Sequence, residues 1–321
     1  VTLSPLQFEP IFQQYLWGGR RLVEWFPQAP AEGPVAEAWL ISDEAKFPSR
    51  VAAGPHAGRT LRELTAEFGP RLLGSRYRPG EHFPLLLKLL DAREPLSVQV
   101  HPNDARAGPG QRGKTEAWIV LRAEPGARIY AGLRAGAGER ALRDAIEAKC
   151  VAEVLHSFEP QAGDCVFLPA GTVHALGAGL LVFEVQQTSD ITYRLHDWDR
   201  VDARTGQPRE LHIEQGLGCI DWPAGPAALV IAPDGLMVDC PHFRLWRKRS
   251  VTKNARVGAA DEFRIVAVVE GRGHLGFGSE RELPLEPGST LLLPPGSGEA
   301  CCHRDGPLTL LECGLPAEGA L

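Results

Sequence analysis

The chain has 321 residues, 44% of them hydrophobic and 23% charged, enough to bury one large or two ordinary cores and too apolar for a disordered polymer. A net charge of −6 and a pI near 6.0 exclude the basic face that a nucleic-acid surface requires, and no apolar run approaches the roughly 20 residues that span a bilayer. The N-terminal VTLSPLQFEP lacks the basic-then-apolar order of a signal peptide, and the seven cysteines include no CxxC pair. The expectation is therefore a cytoplasmic protein with reduced thiols.

In chain order, the first clear element is a helix over 60–74, TLRELTAEFGPRLLG. FPLLLKLL (83–90) follows as a buried strand that carries one lysine, Lys88. In LSVQVHPND (96–104), alternation puts Ser97, Gln99 and His101 on one face and Val98 and Val100 on the other. Pro102 ends that strand and leaves His101 at its tip. EAWIVL (116–121) is the next strand, led in by Gly113-Lys114-Thr115. ERALRDAIEAKCVAEVL (139–155) has helical spacing, and DCVFLP (164–169), GLLVFEV (179–185), FRIVAVVEG (263–271) and STLLLP (289–294) are further strands. Short apolar runs punctuated by Gly and Pro are the rhythm of an antiparallel, mainly β protein.

Two segments repeat a pattern. QAGDCVFLPAGTVHAL (161–176) and EPGSTLLLPPGSGEAC (286–301) both read as a turn, a short buried strand, a proline stop and a second turn, which implies a duplicated β-barrel unit. With Gly163 set on Gly288, His174 falls opposite Glu299, so the first copy alone is equipped for a metal. The formal GxGxxG at Gly271, Gly273 and Gly276 is rejected as a nucleotide loop, because strand and turn follow it where a helix is needed.

Gln99, His101, Glu116 and His174 make a mixed N/O set suited to a borderline divalent ion, most often zinc, with Mn, Fe, Co or Ni as other choices. Read singly, His174 could cap a turn, Glu116 could be a solvated strand end and Gln99 could pair with backbone. A lone lysine or arginine is ordinarily a solvated surface charge, although Lys88 in an apolar strand needs a partner.

The ordered combination SVQVHPND, GKTEAWIV, GDCVFLPAGTVHAL and EVQQTSDITYRLHDWDR, with YLWGGRRL (15–22) and AEAWLISD (36–43), resembles the class I mannose-6-phosphate isomerases of the cupin superfamily, in their short bacterial form. The resemblance implies a duplicated cupin, a jelly-roll β-barrel, with a metal-binding catalytic part over 1–222 and a degenerate second cupin without metal ligands over 223–321. It implies a zinc-dependent aldose–ketose isomerase that interconverts mannose 6-phosphate and fructose 6-phosphate through a cis-enediol. Its only partner would be a small sugar phosphate, and it would be a monomer or homodimer. The family's metal ligands fall on Gln99, His101, Glu116 and His174. Its active-site arginine falls on Arg194, its lysines on Lys114 and Lys88, and its glutamate on Glu184. Ser97 matches a phosphate contact, and Arg200 stands where a second, basic one is expected.

The base is left open between Glu184, which burial would tune upward, and Lys114. Asp190 and Tyr193 read as supporting or structural, and His156, His196 and His212 as ordinary polar histidines. Two departures from the family pattern matter. The usual Gly-Glu-x-Trp reads Ala36-Glu37-Ala38-Trp39, and the short distance from Glu116 to His174 leaves no room for the helical insertion of the longer enzymes, whose reduced counterpart would be the helix at 139–155. Two other readings stay open on the residues: a cupin that senses a sugar phosphate without turning it over, and an Fe(II) cupin oxygenase.

Overall fold

The computed structural model describes residues 3–202, 206–230, 234–250, 254–277, 281–297 and 300–317. In chain order the elements are β1 (Leu6–Gln7), β2 (Ile11–Gln13), β3 (Glu37–Ile41), α1 (Leu61–Phe68), α2 (Pro70–Leu73), β4 (Leu85–Ala92), β5 (Val98–Val100) and β6 (Glu116–Ala123). There follow β7 (Ile129–Leu133), α3 (Glu139–Glu147), β8 (Leu155–Phe158), β9 (Cys165–Leu168), β10 (His174–Leu176), β11 (Leu180–Gln187), β12 (Tyr193–His196), β13 (Val201–Asp202), β14 (Gln207–Pro208), α4 (Ile213–Cys219) and β15 (Leu229–Val230). The remainder is strand: β16 (Gly235–Asp239), β17 (Arg244–Ser250), β18 (Ala255–Val257), β19 (Arg264–Glu270), β20 (Gly273–Phe277), β21 (Arg281–Leu285), β22 (Thr290–Leu293), β23 (Ala300–Arg304) and β24 (Leu308–Gly314). The chain is mainly β, as expected.

It divides into two units, one of residues 12–38 and 88–230, the other of 1–11, 39–87 and 231–321. This differs from a single cut at 222/223. Segment 39–87 belongs with the C-terminal strands because its side chains pack there. Phe83 meets Phe263 at 4.9 Å, Arg76 pairs with Glu262, and Gly74, at φ +102, lies where a Cβ would be 2.3 Å from the Asp261 carbonyl. The expected helix over 60–74 is two helices. Thr60 and Glu63 form a reciprocal capping box at the start of α1, and Pro70 opens α2.

The first unit holds a five-stranded sheet, β12-β5-β10-β7-β8, and the strands β15, β9, β6 and β11 of a seven-stranded sheet ordered β15-β9-β6-β11-β4-β3-β2. Alternation in β5 works as read from the sequence. Val98 and Val100 join Ala175, Leu195, Leu142 and Leu217 in an apolar cluster on the side covered by α3 and α4, while Gln99 and His101 face the other way. Between the sheets, Ile129, Val120, Val166, Leu176 and Val182 form a second apolar cluster, with Trp118 among them.

The helix expected over 139–155 stops at Glu147. Lys149 takes φ +59, its N–H reaches the Ile146 carbonyl, and the Cys150 N–H reaches that of Ala145, which is the left-handed double closure that ends helices. The chain then passes through one 3₁₀ turn into β8.

The second unit has sheets ordered β1-β22-β19-β24-β17-β16 and β18-β23-β20-β21. The repeated segments form the same local structure. Gly163 and Gly288 have φ of +94° and +92°, and their N–H groups donate to the Val120 and Val268 carbonyls at 2.7 and 2.9 Å. The strands that follow, β9 and β22, pair with β6 and β19 in the same register. By that register Arg264 stands where the first copy has Glu116, and Glu312 where it has Glu184. Glu299, the expected counterpart of His174, lies outside the described residues.

Candidate active site

Ladder register brings the candidate ligands together. Gln99 of β5 lies opposite both Arg194 of β12 and His174 of β10, so those three side chains share one row across the five-stranded sheet. On the facing sheet, Glu116 lies opposite Gln186, and Trp118 opposite Glu184.

The turns are tied to each other by backbone. The His101 carbonyl accepts from Gly171, the Pro102 carbonyl from Lys114, and the Thr115 hydroxyl from Ala170. Gly113 allows the closest approach, since a Cβ there would sit 2.5 Å from the Asp104 nitrogen. Asp104 in turn accepts from the Gly113 N–H and the Gln187 amide, and Gln187 accepts from Thr115 N–H. The polar HPND turn thus holds the GKTE segment against His101.

His101, Glu116 and His174 are buried, and their ligand atoms lie within 4.8 Å of one another. His101 Nδ1 is 2.7 Å from the Ile191 carbonyl and His174 Nδ1 2.8 Å from the Thr172 carbonyl. A carbonyl only accepts, so each Nδ1 carries the proton and each Nε2 turns a lone pair inward. These Nε2 atoms are 3.5 and 3.3 Å from the Glu116 carboxylate, whose buried oxygens face one cation, the Lys114 ammonium. Burial holds His101 well below the usual imidazole range and His174 at about 4, and raises Glu116 to about 7. The Gln99 amide lies 3.4 and 3.3 Å from the two imidazoles, and a half-turn about its last bond presents oxygen there. Lone pairs from two imidazoles, a carboxylate and an amide converge, with the Lys114 ammonium beside the carboxylate. That donor set fits a divalent cation such as zinc.

Beside this cluster is a cavity of about 290 Å³, lined by charged, polar and aromatic side chains including Tyr15, Trp17, Glu37, Lys88, Ser97, Gln99, Lys114, Trp118, Glu184, Asp190, Arg194 and Arg209. A row of side chains crosses its wall. Trp118 Nε1 donates to Glu184 at 2.7 Å, and Lys88 Nζ lies 3.7 Å from both Glu184 and Glu37. Burial works against the Lys88 charge, but Glu37 and Glu184 outweigh it and raise its pKa. Burial would likewise raise Glu184, yet Lys114, Lys88 and the Trp118 indole hold it below the usual carboxylate range. The expected upward tuning of Glu184 is thus corrected, because two cations and an indole donor surround it. Lys114 Nζ stands 3.0 Å from Glu116 and 3.1 Å from His101. Tyr15, pushed to about 12 by burial and by Glu37, keeps its proton.

Ser97, Lys88, Lys114, Glu184 and Arg194 all reach this cavity; Arg200 does not line it. The Arg200 guanidinium is spent on Asp197 and the Pro95 carbonyl. Sequence reasoning missed Glu37, Trp118 and Arg209 as site residues and set Asp190 aside, although it lines the cavity. Glu37 and Trp118 stood within segments already singled out, and only their partners across the sheet reveal them. For Arg209 no local signal exists. Tyr193 packs instead in the apolar cluster with α4.

The model of the phosphomannose isomerase type I catalytic domain matches residues 6–118. Mannose-6-phosphate isomerase ManA of Bacillus subtilis is 36% identical over 309 residues, covering 93% of this chain and 96% of that protein. A crystal structure of mannose 6-phosphate isomerase from Bacillus subtilis superposes with a TM-score of 0.86 at 33% identity, over 97% of this chain and 99% of that one. A zinc-bound mannose 6-phosphate isomerase structure, at 20% identity, shares the fold with a TM-score of 0.75 over 98% of this chain and 100% of that one. The chain belongs to the type I phosphomannose isomerase family.

Proposed function

We propose that this protein is a zinc-dependent aldose–ketose isomerase that interconverts mannose 6-phosphate and fructose 6-phosphate, with the metal held by Gln99, His101, Glu116 and His174. The observation that carries this reading is the buried Glu116 carboxylate facing two imidazole lone pairs beside a small polar cavity. The zinc-bound relative supports the choice of metal.

Isomerisation moves a proton between C1 and C2 of an open-chain sugar through a cis-enediol. It needs a base on one face and positive charge for the developing oxygen anions. Bound zinc supplies fixed positive charge and polarises oxygen without redox chemistry. Glu184 is assigned as the base. Its Oε2 is held by Trp118, while its Oε1 is buried without a hydrogen-bond partner. Lys114 is engaged by Glu116 and His101, which leaves it less free to abstract a carbon-bound proton. Arg194, with Nη1 on the Glu210 carbonyl at 2.8 Å, presents a fixed cation to the cavity. Lys88 keeps Glu184 ionised and oriented. The aromatic pair Tyr15 and Trp17, stacked at 5.7 Å, narrows the site around the sugar.

The retention of Lys88, Lys114, Glu184 and Arg194 around one cavity argues against a purely sensing protein, and a glutamine with a glutamate beside two histidines departs from the three-residue set of Fe(II) oxygenases. The proposal extends to a cytoplasmic enzyme, monomeric or homodimeric. No helix of the described residues is long and apolar enough to cross a membrane.

A coupled assay on zinc-loaded protein tests the reading directly: fructose 6-phosphate must form from mannose 6-phosphate, and its absence overturns the function. His101→Ala should lose zinc by metal analysis, whereas Arg194→Ala should keep it and lose turnover. Loss of metal from Arg194→Ala would refute the role given to that arginine.

A further inference from the structure

The charges around the cavity are not evenly matched. Lys88 is clasped by Glu37 and Glu184, and Lys114 is paired with Glu116. The remaining cations gather elsewhere. Arg209 donates from Nε to Asp197 Oδ2 at 2.8 Å and from Nη2 to Oδ1, and Arg200 donates to the same Asp197. One buried carboxylate therefore serves two guanidiniums. Arg194 adds a third, held by the Glu210 backbone, with its Nε unpartnered and the Glu210 carboxylate itself exposed. Burial lowers the Arg194 pKa, and Arg209 is the leading neighbouring charge that lowers it further. Arg194 and Arg209 line the cavity and Arg200 does not. Of the carboxylates in the lining, Glu37 and Glu184 face Lys88, and Asp190 is exposed.

An excess of guanidinium, braced by a buried carboxylate and opening on a polar cavity, is an anion site. Guanidinium geometry matches the phosphoryl group in particular. We propose that Arg209 binds the phosphoryl group of the sugar phosphate, and that Arg200 and Asp197 brace Arg209 without touching substrate, which leaves Arg194 to the developing oxygen anions. This assignment rests on the isomerase reading for its substrate. It moves the basic phosphate contact from Arg200, where family resemblance puts it, to a residue nine positions later on the segment after β14. The physical reason is that Arg200 already spends its donors on Asp197 and the Pro95 carbonyl. Arg209 uses only one edge of its fork on Asp197 and keeps Nη1 for a ligand.

The test uses the full zinc-loaded chain with Arg209→Met, Arg209→Lys and Arg200→Met. Inorganic phosphate binding is measured by calorimetry, and steady-state kinetics are measured with mannose 6-phosphate. Arg209→Met should weaken phosphate binding and raise KM by about ten- to a hundredfold, with a much smaller effect on kcat and unchanged zinc content. Arg209→Lys, which keeps the charge and loses the fork, should fall between Arg209→Met and wild type and guards against a folding defect in the methionine variant. Arg200→Met should change phosphate affinity far less. Unaltered phosphate affinity and KM in Arg209→Met, or an equal loss in Arg200→Met, would overturn the assignment. If wild-type protein binds phosphate through Arg209 but forms no fructose 6-phosphate, the isomerase reading falls while the anion site stands.

Discussion

Replacing Lys88 by Met is the sharpest test of the buried charge row. The Lys88 ammonium is 5% exposed and sits 3.7 Å from one oxygen of Glu37 and 3.7 Å from one of Glu184. At an effective dielectric of about 20, each pair contributes about 4.5 kcal/mol of gross attraction, 332/(20 × 3.7). Desolvation of the ammonium and both carboxylates offsets much of that. Removing the cation alone strands two buried carboxylates, for a net loss of about 3–5 kcal/mol. For a chain of this size that corresponds to a fall in Tm of roughly 5–15 °C.

The pH dependence gives a second signature. Because the folded pKa of Glu184 is depressed in the wild type, its contribution is present above the unfolded carboxylate value and is lost as pH falls through the lower folded value. In Lys88→Met the facing carboxylates have a raised affinity for a proton. The variant should therefore regain stability relative to wild type as pH falls toward about 4–5. Adding Glu37→Gln to Lys88→Met should recover part of the loss at neutral pH. Thermal melts of metal-free protein across that range read all three effects. A Lys88→Met protein that melts within about 2 °C of wild type at pH 7, and with the same pH slope, would refute the reasoning.

Other expectations concern the supports of the site. Trp118→Phe removes the donor on Glu184 while keeping the ring against His174, so kcat should fall about tenfold with zinc content unchanged; an unchanged kcat would show that the indole bond does not position the base. Asp104→Ala unties Gly113 and Gln187 from the HPND turn and should weaken zinc affinity about 10- to 100-fold by competition with a chelator; wild-type affinity would refute the link. Gly113→Ala should act through the same turn, because its Cβ would collide with the Asn103–Asp104 backbone, and an unperturbed metal affinity there would show that the turn can yield.

Much of the site was legible in short stretches. In LSVQVHPND, period-two alternation and a terminal proline were enough to put Gln99 and His101 on one face at a strand end; the ladder holds Gln99, and His101, just past β5, lies 3.4 Å from its amide. The turn preceding β9 was readable because a glycine at positive φ and a proline stop are local requirements, and the same pattern at Gly288 builds the same turn. The helix over 139–155 was overread because its apolar spacing continues past Glu147, while Lys149 adopts a left-handed backbone that no spacing rule announces.

By itself the sequence determined the β-rich class, the repeated strand unit and the four candidate ligands, because side-chain alternation and turn chemistry act over a few residues. Only the tertiary structure decided which charges meet. Glu37 and Lys88 are 51 positions apart, and Lys88 and Glu184 are 96 apart, yet strand pairing sets all three in one row. The same holds for Arg200 and Arg209, which look alike in the sequence. One is used up by a backbone carbonyl and a shared carboxylate, and the other faces the cavity, a difference that arises from packing between distant segments and leaves no mark on the residues beside either.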